Sequence, residues 1–111
     1  MDINNFIETT LKPTNLPVKF QTYSGKETTY ITYTEYLGQA ESFCDDEEET
    51  EGHYVQINVY SKSNYNSIVT QVKALMKKAD FSRTTEINLY ENGTKLFHKG
   101  IRYFYSENLI L

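Results

Sequence analysis

The sequence predicts an α+β fold, a mostly antiparallel sheet of about five strands with two helices packed on one face. Three observations carry that expectation. Two segments place apolar residues at helical spacing. Several short segments alternate apolar with polar residues. The order of the two kinds is helix, three strands, helix, two strands, and only the second helix interrupts a possible run of hairpins.

Ile3, Phe6, Ile7 and Leu11 form the first apolar stripe. Asp2 is placed to cap that helix, because its carboxylate can accept amide protons of the first turn. Pro13 and Pro17 end it. Val18 and Phe20 alternate with Lys19 and Gln21, which predicts a short strand, and Ser24–Glu27 predicts a turn. Thr28–Leu37 is rich in Thr and Tyr, types that suit a pleated surface. Its odd positions carry Ile31, Tyr33 and Leu37, and its even positions carry Tyr30, Thr32, Thr34 and Tyr36. This strand is expected to continue irregularly through Ala40 and Phe43.

Residues 44–52 read as an acidic loop. Asp45, Asp46, Glu47, Glu48, Glu49 and Glu51 repel one another too strongly to pack, and Gly52 closes the segment. His53–Tyr60 then alternates cleanly, with Val55, Ile57 and Val59 on one face and Tyr54, Gln56, Asn58 and Tyr60 on the other. Ser61–Asn64 offers caps for a helix reaching about Ala79. Tyr65, Ile68, Val69, Val72, Leu75, Met76 and Ala79 supply its apolar stripe, and Lys77 and Lys78 complement its dipole.

Residues 83–90 and 95–105 flank Asn92-Gly93 and predict a hairpin. A two-residue loop would set Leu89 opposite Leu96 and Asn88 opposite Phe97. A three-residue loop, Glu91-Asn92-Gly93 with Gly93 left-handed, puts Ile87 and Leu89 on the face of Phe97, Ile101 and Tyr103. The second choice separates the faces better and is the expectation. Lys99 on that face is its weak point, relieved if the side chain reaches past the sheet edge.

Length and composition fit one domain over residues 1–111: 111 residues, 39% apolar and 23% charged, with ten Tyr and six Phe to build a core. Apolar runs are too short for a transmembrane helix, and the N-terminus lacks the pattern of a secretory signal. Cys44 is the single cysteine, which excludes an internal disulfide and suits a reducing cytosol. Residues 1–61 hold 3 Lys+Arg against 11 Asp+Glu, whereas residues 62–111 hold 8 against 4. A whole-protein nucleic-acid role is disfavoured by the acidic total. The two-signed pattern suits contact between unlike patches, on copies of the chain or on a partner, or it simply keeps the protein soluble.

No phosphate-cradling, zinc-protease or nucleophile-elbow motif can be written in this sequence. Cys44 with His53 or His98 could be drawn as nucleophile and base, but the expected roles are a partly buried cysteine and ordinary strand histidines. The acids of residues 45–51 lack the spacing of a calcium loop. Asn92-Gly93-Thr94 matches a glycosylation sequon but is explained as turn chemistry. No catalytic residue, metal or cofactor is therefore expected. What stands out is the second sheet face, where Tyr30, Tyr36, Tyr54, Tyr60 and Tyr90 are expected beside Thr32, Thr34, Gln56 and Asn58. So many aromatics on an uncovered face point to a partner surface.

Several segments taken in order resemble one family. Thr29-Tyr30-Ile31-Thr32-Tyr33 and the acidic loop come first. Tyr54-Val55-Gln56-Ile57-Asn58-Val59-Tyr60-Ser61-Lys62 directly precedes the second helix. Phe81, Leu89-Tyr90-Glu91, Leu96-Phe97-His98-Lys99 and Arg102-Tyr103-Phe104-Tyr105 follow. Together they resemble the small tail-terminator, or head-to-tail joining, proteins of long-tailed bacteriophages and prophages. The resemblance implies a non-enzymatic α+β protein of the virion that assembles as a ring, usually of six copies. Such a ring caps the tail tube, stops its growth and meets the head connector or neck protein. It also implies a place at the tail–head junction, reached from the host cytoplasm. Asp80 departs from the pattern, where a glycine closing the helix is expected, and the acidic run is unusually dense. The interface residues expected on this basis are Tyr30, Tyr36, Tyr54 and Tyr60 of the sheet with Asp45, Asp46, Glu47, Glu48, Glu49 and Glu51 of the loop. Two other readings remain at this point: a cytoplasmic binding module that dimerises through its sheet, and a metal-dependent hydrolase using the histidines and acids.

Overall fold

The computed structural model describes residues 2–36 and 50–108. They form helix α1 (Ile3–Leu11), strands β1 (Val18–Phe20), β2 (Tyr30–Tyr36) and β3 (Thr50–Ser61), helix α2 (Asn66–Lys78), and strands β4 (Ser82–Glu91) and β5 (Leu96–Asn108). The strands make one five-stranded sheet in the order β1-β2-β3-β5-β4. All pairings are antiparallel except β1 with β2. The fold is α+β with a mixed, mostly antiparallel sheet and two helices packed together, as the sequence predicts.

Asp2 caps α1 as expected, its carboxylate accepting from the Asn5 amide at 3.1 Å. The helix stops at Leu11 and tightens into a 3-10 turn over Lys12–Thr14 that carries Pro13. At the other helix, Asn64 accepts from the Asn66 amide at 2.8 Å and steers the chain into α2. The end of α2 is closed by Asp80 in the left-handed region, φ 72°. Phe81 N–H reaches back to the Met76 carbonyl and Asp80 N–H to that of Lys77, each at 3.0 Å. This is a Schellman closure with Asp where glycine is usual, and it drops Phe81 into the core.

The core lies between the helices and one sheet face. Ile3, Ile7 and Leu11 of α1 meet Val69, Val72 and Met76 of α2 over Ile31, Tyr33, Val55, Ile57, Val59, Ile101 and Tyr103 of the sheet. Burying each such aliphatic side chain is worth roughly 1.5–3 kcal/mol, so this two-layer arrangement is where the fold's stability resides. Tyr33 keeps its hydroxyl at the edge of the core, donating to the Glu8 carboxylate; burial and that hydrogen bond push its pKa well up.

Three expectations are corrected. The turn at Ser24–Glu27 does not reverse β1 into a hairpin, because β1 runs parallel to β2, with Val18 opposite Ile31. β1 is only three residues long, so the nine-residue segment 21–29 suffices to return the chain to the start of β2. Second, Thr50, Glu51 and Gly52 belong to β3, paired with Asn108, Glu107 and Ser106, and not to the acidic loop. The ladder to β5 satisfies their backbone groups, and that outweighs local charge. Residues 37–49, including the expected continuation of β2 to Phe43, lie outside the described residues.

Third, the β4–β5 connection spans Asn92–Lys95, with Glu91 opposite Leu96. Lys95, φ 60°, takes the left-handed position assigned to Gly93, and its amide donates to the Glu91 carbonyl at 2.7 Å. The four-residue loop inverts the expected parity. Leu89 lies opposite His98 and Ile87 opposite Gly100, while Tyr90 lies opposite Phe97. The sorting of faces misled because β4 is an edge strand, exposed almost throughout, and burial does not fix its register. A register break between Arg83 and Thr85 further twists this edge.

Candidate interaction face

No helix packs on the second sheet face among the described residues. The register arranges it in four rows across β2, β3, β5 and β4. One outer row is Tyr30, Tyr60, His98 and Leu89; the other is Tyr36, Tyr54, Phe104 and Ser82. Between them lie Thr32, Asn58, Gly100 and Ile87, then Thr34, Gln56, Arg102 and Thr85. Two aromatic ranks thus enclose a polar centre.

In the first rank the rings follow one another without a gap, Tyr23 tilted on Tyr30 and the rest stacked. Tyr23 lies on Tyr30 at 4.5 Å between centroids, Tyr30 on Tyr60 at 4.7 Å, and Tyr60 on His98 at 4.3 Å. In the second, Tyr36 and Tyr54 are 5.7 Å apart and Tyr54 and Phe104 4.9 Å. The Arg102 guanidinium sits 4.6 Å above the Tyr36 ring, a cation–π contact.

The centre is a hydrogen-bonded chain. Arg102 Nε donates to Gln56 Oε1 at 2.9 Å, Gln56 Nε2 donates to Asn58 Oδ1 at 2.7 Å, and Asn58 Nδ2 donates to Thr32 Oγ1 at 3.3 Å. His98 Nε2 also donates to Asn58 Oδ1, at 2.9 Å, which places the ring proton on that nitrogen. Gly100 makes the crowding possible, since a Cβ there would lie 3.1 Å from Gln56 Nε2 and 3.3 Å from Asn58 Oδ1. Thr32, Asn58 and His98 are buried although no helix among the described residues covers them. Burial holds the His98 pKa below the ordinary imidazole value, against the opposing pull of Glu91. Burial raises the Tyr30 and Tyr60 hydroxyls, helped by the charge of Glu91. These shifts follow from packing.

Tyr30, Tyr36, Tyr54 and Tyr60 therefore share one face, as the sequence alternation predicts. Tyr90 does not; it packs on Phe97 on the opposite side, 4.9 Å between centroids. Ile87 and Leu89 take its place at the rim, 54% and 46% exposed. Phe104, Arg102 and His98 complete the face, and strict alternation along β5 was the signal that could have found them. Asp45, Asp46, Glu47, Glu48 and Glu49 lie outside the described residues, and Glu51 is paired in β3 opposite Glu107.

The histidines do not form a centre. His98 is on the open face, whereas His53 is on the helix side, with Nδ1 2.8 Å from Glu35 and Nε2 3.3 Å from Glu107. Cys44 lies outside the described residues. Among the described residues no three His, Cys, Asp or Glu side chains group to hold a metal ion. No helix among them is long and apolar enough to cross a membrane.

No family model matches the sequence, and no curated protein matches it. Thirteen solved chains match the structure. One, which carries no functional name, superposes with a TM-score of 0.53 at 10% identity, covering 98% of this chain and 89% of its own. At that identity the likeness shows the fold alone.

Proposed function

We propose that this chain is a structural virion protein of the tail-terminator kind, which assembles as a ring, caps the tail tube and joins it to the head connector. The observation that carries the reading is the open sheet face. Two packed aromatic ranks, a hydrogen-bonded polar centre and the exposed Ile87 and Leu89 make a surface braced by its own contacts. Such a face offers a partner contact area at low entropic cost, because its side chains are fixed beforehand. The ordered segments that resemble tail terminators supply the direction, and the split of charge between the two halves supplies the unlike patches that a head-to-tail ring needs. No turnover belongs to this role.

The experiment is a capping assay. Tail-tube protein is polymerised with and without the chain, and tube lengths are measured by electron microscopy. Shortened tubes ending in a ring support the reading. Unchanged lengths with a stable dimer in solution favour a sheet-mediated binding module instead.

A further inference from the structure

A second surface lies on the helix side, where the C-terminal half of α2 meets the β4 edge. A groove of about 580 Å³ is lined there by Lys73, Lys77, Asp80, Arg83 and Tyr103. Its charge is mostly positive. Lys73 and Arg83 share the Glu86 carboxylate, at 3.0 and 3.6 Å, with Lys99 at 2.7 Å, so three cations divide one anion. Among the described residues Lys77 has no ion-pair partner. Tyr103 is 2% exposed, and its hydroxyl is buried with no hydrogen-bond partner among the described residues. A buried hydroxyl of this kind is costly to leave unmatched, and surplus cations around it call for an oxygen acceptor with negative charge.

We propose that this groove binds a carboxylate-rich segment, the run Asp45-Asp46-Glu47-Glu48-Glu49 of a second copy of the chain. That run is the densest negative charge in the sequence, and three of the eight basic residues found after Ser61, Lys73, Lys77 and Arg83, line the groove, with Lys99 beside them on Glu86. Lys77 and Arg83 supply the charge for one or two carboxylates, and the Tyr103 hydroxyl donates to another oxygen when Arg83, half exposed at the rim, swings aside. Asp80 opposes binding and sets its strength. The contact is heterologous, groove on one copy and run on the next, so repetition generates a ring or a filament. This inference rests on the ring reading, and it names the charged joint between neighbours.

The test uses the full chain with Asp45–Glu49 replaced by Ser, so that its own run cannot compete. A labelled peptide of residues 45–51 is titrated by fluorescence anisotropy at low salt. Binding weakens at least tenfold in the Lys77→Gln/Arg83→Gln variant and strengthens a few-fold in Asp80→Asn, which tolerates the left-handed backbone. Tyr103→Phe weakens it without lowering thermal stability, a result that a purely structural hydroxyl would not give. Equal affinity in all variants, or no binding, overturns the inference. So does displacement by inorganic phosphate as readily as by unlabelled peptide, which marks a general anion site. Tube capping is read separately, with the native Asp45–Glu49 run kept in both parent and variant. If the Lys77→Gln/Arg83→Gln variant still caps tubes as the parent does, the groove is dismissed and the ring reading stands. If the parent fails to cap tubes while the peptide binds selectively, the ring reading fails and the groove is retained.

Discussion

The Oε1 atom of Glu86 on β4 lies 2.7 Å from the ammonium of Lys99 on β5, and the same oxygen lies 3.0 Å from the ammonium of Lys73 of α2. One edge-strand acid thus joins the outermost strand to its neighbour and to the helix above. Hydrogen bonds from the two lysines hold its pKa down to about 2. A carboxyl with a depressed folded pKa adds stability above its unfolded value, near pH 4.3, and loses it as pH falls toward the folded value. Glu86→Gln is expected to cost about 1 kcal/mol at pH 7, a modest figure because the groups are partly exposed. The difference from wild type should shrink between pH 4.3 and 2 in denaturant titrations. A difference that does not change with pH would assign the effect to packing alone.

Asp80 holds a left-handed conformation that an L-residue adopts at some cost. Asp80→Gly keeps the Schellman hydrogen bonds and removes that cost. Stability should rise by about 0.5–1 kcal/mol, a gain of several degrees in Tm by calorimetry. A loss would mean that the Asp80 carboxylate holds the turn through its own contacts.

Burial disfavours the charged form of His98 and holds its pKa below the ordinary imidazole value in the folded protein. As pH falls through about 6.5 the unfolded chain gains a proton that the folded chain resists, so stability declines from pH 7 toward 5.5. Glu91, 3.9 Å away, makes the decline shallow. His98→Gln should abolish this part of the slope in pH-dependent melts. An unchanged slope would place its origin elsewhere.

Ile87 and Leu89 are surface residues whose removal costs the monomer little, within about 0.5 kcal/mol each. Ile87→Ser/Leu89→Ser is expected to melt within a few degrees of wild type while the proposed tube capping falls at least tenfold. Parallel loss of folding and capping would make these residues structural.

The layered fold was legible in the sequence because its signals are periodic: Ile3, Ile7 and Leu11 on one helix, Val69, Val72 and Met76 on the other, and the alternation of Tyr54–Tyr60 on the central strand. Tyr54 and Tyr60 follow from that alternation, and Tyr30 and Tyr36 from the matching one on β2. Alternation failed on β4, where both faces are wet and no burial favours one parity. There Asn92-Gly93 suggested a tighter turn than Lys95 allows. Lys99 on the core-side face is matched by Glu86 beside it, a pairing set by the inverted register. The groove at Tyr103 had no sequence signal, since its residues come from α2, β4 and β5 and converge only on folding.

The most direct measurement of the proposed capping role is electron microscopy of the purified chain mixed with bacteriophage tail tubes. The account predicts a ring of copies seated on one end of each tube, lost when Ile87 and Leu89 are replaced by Ser. Bare tube ends beside free protein at saturating concentration would contradict it.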